Sequence, residues 1–258
     1  MDLPVNIFKA AMARREAQIG LWLGLSDPYV AELLASCGFD WLLVDAEHSP
    51  TGAANVRPVR LDLSSPDSVE ASVRELGADA ARIDLLVNNA GTFTGGLFDR
   101  TDVSDVYEVL QVNLAGPIHL TRLLLPGMLE RGSGKIVNNA SIIGHAPFPG
   151  AVVYAASKTG LHGFTESLRR ELDETDLTVL ELITPGVDTD MMDQVQRELD
   201  EHASTDGWDH VEPGDWAGKV ADAIESDEDE LDPGGAEGLA KLLPKALLDL
   251  AAKRGFSR

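Results

Sequence analysis

Tyr154 and Lys158 stand four residues apart in the segment YAASK. On a helix that spacing brings both side chains to one face. A free phenol ionises near pH ~10 and is a poor proton carrier at neutral pH. A neighbouring ammonium favours the phenolate and lowers that value. Such a tyrosine could pass a proton to or from a substrate oxygen. Ser141 ends the segment GKIVNNAS and can hydrogen-bond the same oxygen. Three apolar segments share this kind of polar ending: NNAG at 88–91, NNAS at 138–141 and TPG at 184–186. Small and amide residues there let a planar cofactor lie against the backbone and bond it. The asparagines can equally bond neighbouring loops.

The elements that must position these groups alternate along the chain. Residues 83–91, 134–142 and 177–186 are short apolar runs of strand type. Residues 56–63, VRPVRLDL, read as a further strand. Ser65, Pro66 and Asp67 open a capped helix. Residues 103–131 form a long helical region with Gly116 and Pro117 inside it, and 153–172 form another helix. Upstream, 18–25 and 40–48 contain two strands around a helix that Gly38 ends. This alternation predicts an α/β fold, a Rossmann-like three-layer parallel sheet with helices on both faces. Beyond Asp190 come helices and acidic loops, and a final helical stretch is broken at Pro244.

The chain has 258 residues, 44% of them hydrophobic, which suits one α/β domain or a domain with a small extension. Its formal charge is −22, and residues 151–258 carry −15 of it. That much acid repels nucleic acid and anionic membrane surfaces, so neither is expected as a partner. It also suits a salt-adapted source, since salt screens self-repulsion. No apolar run approaches the roughly 20 residues that cross a bilayer. The first residues lack the pattern of a signal peptide. Cys37 is a single cysteine and cannot form an internal disulfide, so a cytoplasmic location is expected.

Residues 56–192 resemble the short-chain dehydrogenase/reductase family. The matching pieces come in that family's order: Asp62 in RLDLSSPDSV, NNAG at Asn88–Gly91, Asn113 in VNLAG, Ser141 in NNASI, Tyr154 and Lys158 in YAASK, then Pro185–Gly186. The resemblance implies NAD or NADP as cofactor and a small-molecule alcohol or carbonyl as substrate. It makes Tyr154 the acid/base. Lys158 would lower its pKa and bond the nicotinamide ribose, Ser141 would position the substrate oxygen, and Asn113 would hold a relay water. Asp62 would sit beside the adenine. Asn89, Ala90 and Gly91 would line the adenosine side, and Pro185, Gly186 and Thr189 would flank the nicotinamide. Residues 190–215 would form the substrate lobe, offering Met191, Met192 and Trp208. The helices bearing Asn113 and Tyr154 would pack across a homo-dimer or homo-tetramer interface. No metal is implied.

The family's glycine-rich TGxxxGxG start is missing. Gly20, Gly24 and Ser26 approach its spacing but fall within an apolar strand, where no turn frees backbone N–H groups for a phosphate. Residues 7–50 instead resemble the amino terminus of the metal-dependent 4-hydroxy-2-oxoheptanedioate aldolases, with His48 matching an active-site histidine. That resemblance implies a TIM-barrel fragment without its later metal ligands. The expected organisation is therefore an aldolase-like β-α-β segment at 1–50 and a dehydrogenase-like catalytic region at 51–258. The two foreign strands could take the first two sheet positions and bring Asp45 to the adenosine ribose. The link to 56–63 is shorter than a parallel crossover needs. The leading expectation is an oxidoreductase. The alternatives are a chimeric chain with impaired cofactor binding, a non-catalytic oligomer subunit, and a metal-dependent aldolase.

Overall fold

Three apolar segments, each followed by an amphipathic helix or turn, build the centre of the sheet. The computed structural model describes residues 59–199, 202, 210–226 and 228–234, with strand segments 22–23 and 43–44. The strands are β1 (Trp22–Leu23), β2 (Leu43–Val44), β3 (Leu85–Asn88), β4 (Gly134–Asn139), β5 (Leu177–Leu182), β6 (Gly186–Val187), β7 (His210–Val211) and β8 (Glu230–Leu231). The α-helices are α1 (Pro66–Leu76), α2 (Val103–Leu110), α3 (Gly116–Arg131), α4 (Ile142–His145), α5 (Val152–Glu171), α6 (Asp190–Leu199) and α7 (Pro213–Glu225). Among the described residues one six-stranded sheet runs β2-β1-β3-β4-β5-β8, and β6 pairs with β7 beside it. Pairing is parallel from β3 through β8, as the strand–helix alternation predicts.

The core lies on both faces of this sheet. Leu86, Ile136, Leu177 and Val179 meet Val69 and Leu76 of α1, Leu120, Leu124 and Met128 of α3, and Leu168 of α5. Val87, Val137, Leu180 and Leu182 point the other way, against Trp216, Val220 and Ala223 of α7. The two-residue alternation of a strand thus places neighbouring apolar residues in different layers. α1 begins as its sequence predicts. Ser65 accepts the Ser68 N–H at 3.3 Å, Pro66 opens the helix, and Gly77 at φ +61° ends it.

Two features depart from expectation. Residues 59–63 do not join the sheet as a strand, and only Leu61 makes a ladder bridge. Val59, Leu61 and Leu63 are buried, so the period-two pattern was sound. Side chains bond much of this backbone. The Ser72 hydroxyl donates to Arg60 C=O (2.5 Å), Asp62 N–H donates to Ser68 Oγ (3.0 Å), and Gln111 Nε2 donates to Leu63 C=O (3.1 Å). The second departure concerns direction. β1 and β2 pair parallel with each other, but Trp22 bridges Val87 of β3 antiparallel. The first two sheet positions are filled, yet both strands run against the rest.

The helical region 103–131 is continuous but not uniform. Gln111–Ala115 forms a π turn between α2 and α3, and Gly116 N–H returns to Gln111 C=O. Pro117 has no N–H to offer Asn113 C=O, and its ring would crowd that carbonyl, so a widened turn relieves both problems. Gly116 is required where this helix crosses the 59–63 segment. A Cβ there would stand 2.8 Å from Leu63 Cβ and 3.0 Å from Gln111 C=O.

Candidate active site

The carboxyl ends of β3, β4 and β5 lie side by side because the three strands are parallel and in register. Their asparagines divide into two sets. Asn88 and Asn138 turn inward. Asn88 Nδ2 donates to Asn138 Oδ1 (2.8 Å) and Thr121 Oγ1 (3.1 Å), and Asn138 Nδ2 donates to Thr165 Oγ1 (2.9 Å). This chain of amides fastens the sheet to α3 and α5, so it is a structural use of the motif. Asn89 and Asn139 form the second set. Asn139 Nδ2 donates to Asn89 Oδ1 (2.8 Å), and the Thr184 hydroxyl donates to Asn139 Oδ1. The three strand ends are thereby tied across the cleft edge.

Asn113 sits in the π turn and is fully buried. Its Oδ1 accepts Thr92 N–H (2.8 Å), and its Nδ2 donates to Thr92 C=O (2.8 Å) and Ser157 Oγ (3.2 Å). It therefore braces the loop after β3 against α5. π turns are frequent at functional positions, and this one carries a residue singled out from sequence.

Ser141 is the N-cap of α4, accepting Ile143 N–H at 3.3 Å. Its hydroxyl is near enough to the Tyr154 phenol to lower the pKa of that group. Tyr154 stands in the first turn of α5, edge-on to Phe93 with ring centroids 5.2 Å apart. Lys158 Nζ lies 5.7 Å from the Tyr154 ring centroid and donates to Asn139 C=O at 2.6 Å. Serine, tyrosine and lysine thus converge, as their spacing predicts. The electrostatics differ from expectation. Burial pushes the phenol up to about 12, against a lowering by the Ser141 hydroxyl. Burial also brings the Lys158 ammonium down to about 8. Desolvation, which spacing cannot reveal, dominates the phenol, and the only lowering comes from Ser141.

The remaining expected residues fall into place unevenly. Ala90 is buried and Gly91 half-buried beside Asn113 and Lys158. Pro185 is buried, Gly186 opens β6, and Thr189 C=O accepts Met192 N–H at 2.8 Å at the start of α6. Asp62 Oδ1 accepts Ser64 N–H (2.9 Å) and the Ser64 hydroxyl (2.6 Å), a local turn that occupies that carboxylate. Asp45, His48 and Trp208 lie outside the described residues. β2 runs opposite to β3, so its carboxyl end faces the sheet edge away from Asn89.

Several participants were not singled out from sequence. Phe93 joins Ala151, Val195 and Leu199 in an apolar cluster that packs Met191, Met192 and Tyr154. On α6, Glu198 Oε2 accepts Gly95 N–H (2.6 Å), and Gln194 Nε2 donates to Phe93 C=O (3.0 Å) and Glu198 Oε1 (2.7 Å). These bonds fasten the lobe to the β3 loop. Their signal, one amide and one acid in an amphipathic helix, is indistinguishable in sequence from a solvated face.

The nicotinamide side of a dinucleotide fits what is present. Beside Lys158 and Asn113, Gly91 leaves space that a Cβ would take up in ordinary contact, 3.5 Å from Asn113 Oδ1, 3.7 Å from Lys158 Nζ and 3.9 Å from Met191 Cε. On the phosphate side, Trp22–Leu23 between Gly20 and Gly24 is strand.

A family model described as short chain dehydrogenase matches residues 29–200. The chain belongs to the short-chain dehydrogenase family. The match begins inside the segment that resembles the aldolases, so the two resemblances overlap at 29–50. Carbonyl reductase family member 4 of Xenopus laevis is 35% identical over 138 residues, 53% of this chain and 58% of the relative. The 3-oxoacyl-[acyl-carrier-protein] reductase FabG of Vibrio cholerae is 32% identical over 171 residues, 63% of this chain and 69% of that protein. The chain thus spans little more than half the length of the first of these relatives. Among solved structures, 3-ketoacyl-(acyl-carrier-protein) reductase from Brucella melitensis, complexed with NADH, superposes with a TM-score of 0.60 at 25% identity. That superposition covers 70% of this short-chain dehydrogenase and 77% of the neighbour.

Proposed function

We propose that this chain is a nicotinamide-dependent oxidoreductase that interconverts an alcohol and a carbonyl, with Tyr154 as its acid/base. The observation that carries the reading is the convergence of Ser141, Tyr154 and Lys158, with Lys158 Nζ 5.7 Å from the Tyr154 ring centroid, at the carboxyl edge of a parallel sheet. The cofactor, NAD or NADP, would supply or accept the hydride. Asn89, Ala90, Gly91, Lys158, Pro185, Gly186 and Thr189 would hold it, with Asp62 toward the adenine. Ser141 Oγ bonds the substrate oxygen, and Tyr154 Oη delivers a proton to that oxygen during reduction. A phenol pushed up to about 12 stays protonated at neutral pH, which suits the reducing direction. Asn113 acts by fixing the β3 loop and, through Ser157, the first turn of α5. The apolar cluster of Phe93, Met191 and Met192 around Tyr154 favours an uncharged, apolar substrate end.

Val103 and Tyr107 of α2 and Val152 of α5 are exposed apolar residues on the helices leading to Asn113 and Tyr154. They support a homo-dimer or homo-tetramer built on that face. The domain division at residue 50 and a cytoplasmic location belong to the same proposal. Among the described residues no helix is long and apolar enough to cross a membrane.

A second reading, a catalytic half with impaired cofactor binding, is favoured by the reversed direction of β1 and β2. Fluorescence titration with NADH and NADPH separates the two. The oxidoreductase reading expects saturable micromolar binding of one of them. It also expects oxidation of that cofactor by simple ketones or a 3-oxoacyl thioester, falling about 10²–10⁴-fold in Tyr154→Phe. Undiminished turnover in the variant removes Tyr154 from the mechanism, and no saturable binding favours the second reading.

A further inference from the structure

Away from the cleft, β5 carries a carboxylate where its neighbours are apolar. Glu181 is 0% exposed and shares its face of β5 with Val179 and Leu177. Two imidazoles converge on it from two helices. His162 Nδ1, on α5, lies 2.9 Å and 3.0 Å from the two carboxylate oxygens. His145 Nε2, at the end of α4, lies 3.1 Å from Oε1. The two rings are 4.2 Å apart and tilted by 56°. One ligand atom from each residue lies within 4.8 Å of the others.

This arrangement poses a charge problem. With both imidazoles neutral, a buried carboxylate keeps a full negative charge, which is costly without compensation. With both protonated, two cations are pressed together at ring-contact distance. A carboxylate sealed from water in this way needs positive charge beside it. A single shared proton is one solution. A divalent cation is the other, and it wants neutral imidazole nitrogens and a carboxylate oxygen, the donors present here.

We infer that His145, His162 and Glu181 form a Zn²⁺-class cation site, three protein ligands from α4, α5 and β5 with one position left for water. His162 is 32% exposed, which leaves the ion a way in, while the carboxylate beneath is sealed. The site's role is positional. His162 stands four residues after Lys158 on α5, and His145 ends the helix that Ser141 caps. The ion would pin together the two helices that carry the serine, the tyrosine and the lysine, and fasten both to the sheet.

The test uses the full chain after dialysis against a chelator. Zn²⁺ binding is followed by calorimetry, and Co²⁺ binding by its visible absorption, in a large excess of Mg²⁺ to occupy the acidic surface. One equivalent should bind, with the intense Co²⁺ bands of a tetrahedral centre. Affinity should drop by about 10–100-fold or more in His162→Gln and in Glu181→Gln. Zn²⁺ should raise the Tm of the wild type by several degrees and leave both variants unmoved. His162 is the more exposed ligand, so its variant keeps the test meaningful if the substitution at Glu181 prevents folding. No saturable binding, or binding that is the same in the wild type and the variants, overturns the site and leaves a shared proton as the bridge.

Discussion

Replacing Lys158 with methionine isolates the energetic burden of the buried ammonium. In the folded chain Lys158 gives up its proton at about pH 8, and in the unfolded chain near its ordinary 10.5. Between those values the unfolded chain binds more protons, so folding stability contributed by this residue rises with pH. Below about pH 8 both forms are charged and the full penalty is present. Integrating between pH 7 and pH 10 gives a relative gain of about 2–3 kcal/mol. Methionine has no proton to lose, and its thioether fills much of the same volume. Urea denaturation of both proteins at pH 7, 8, 9 and 10 therefore measures Lys158 by difference. Titrations of groups remote from Lys158 are common to both and cancel. At pH 7 the variant escapes the penalty but loses the bond to Asn139 C=O, a charge-assisted contact of about 1.5–3 kcal/mol. The two proteins should then be close in stability, and the wild type should pull ahead by about 2–3 kcal/mol at pH 10. A difference that stays flat across this range, or that moves toward the variant, refutes the assignment of a depressed lysine. Over the same range the site loses the ammonium beside Tyr154, so reductase activity should decline while stability improves.

Two further substitutions probe how the site is held. Asn113→Ala strips both partners from the Thr92 backbone, which should lower stability by about 2–3 kcal/mol in chemical denaturation and raise hydrogen exchange in the loop after β3. Gly144→Ala places a Cβ 3.0 Å from the Lys158 carbonyl carbon and oxygen, where backbone has little room to yield. It should destabilise by about 1–3 kcal/mol and reduce kcat more than it alters substrate KM, because Ser141 and Tyr154 are carried by the two helices being forced apart. An unchanged Tm in this variant would mean that α4 can move freely.

Much of this arrangement was legible in the chain. The apolar runs at 83–91, 134–142 and 177–186 are strands, trimmed at their polar ends, because buried parallel strands must be apolar on both faces. Ser141, Tyr154 and Lys158 converge because a strand end and a helical spacing of four leave few other arrangements. The segment 59–63 misled for a specific reason. Its alternation reports burial, and Ser68, Ser72 and Gln111 supply bonds that alternation alone would assign to a ladder. Direction was equally invisible at β1, since an apolar pair reads the same either way along a sheet. The Tyr154 phenol was misjudged because the spacing locates a neighbouring charge but not the water withdrawn from it. Glu181 did carry a signal, a carboxylate inside the run LTVLEL, but its partners lie 19 and 36 residues away. Only the packing of α4 and α5 brings them to it.

The widened turn at Gln111–Ala115 also sets the rotational phase of everything before it. Each helical residue advances the chain by ~100° around the axis. The surplus residue accommodated there decides that Val103 and Tyr107 look outward while Leu120 and Leu124 look into the core. Deleting one residue from this turn would return Pro117 to an ordinary α-turn, where its ring crowds the carbonyl four residues back, and would swing one half by more than a quarter of a revolution against the other. The outward-facing apolar stripe and the anchoring amide of Asn113 could no longer both find their places.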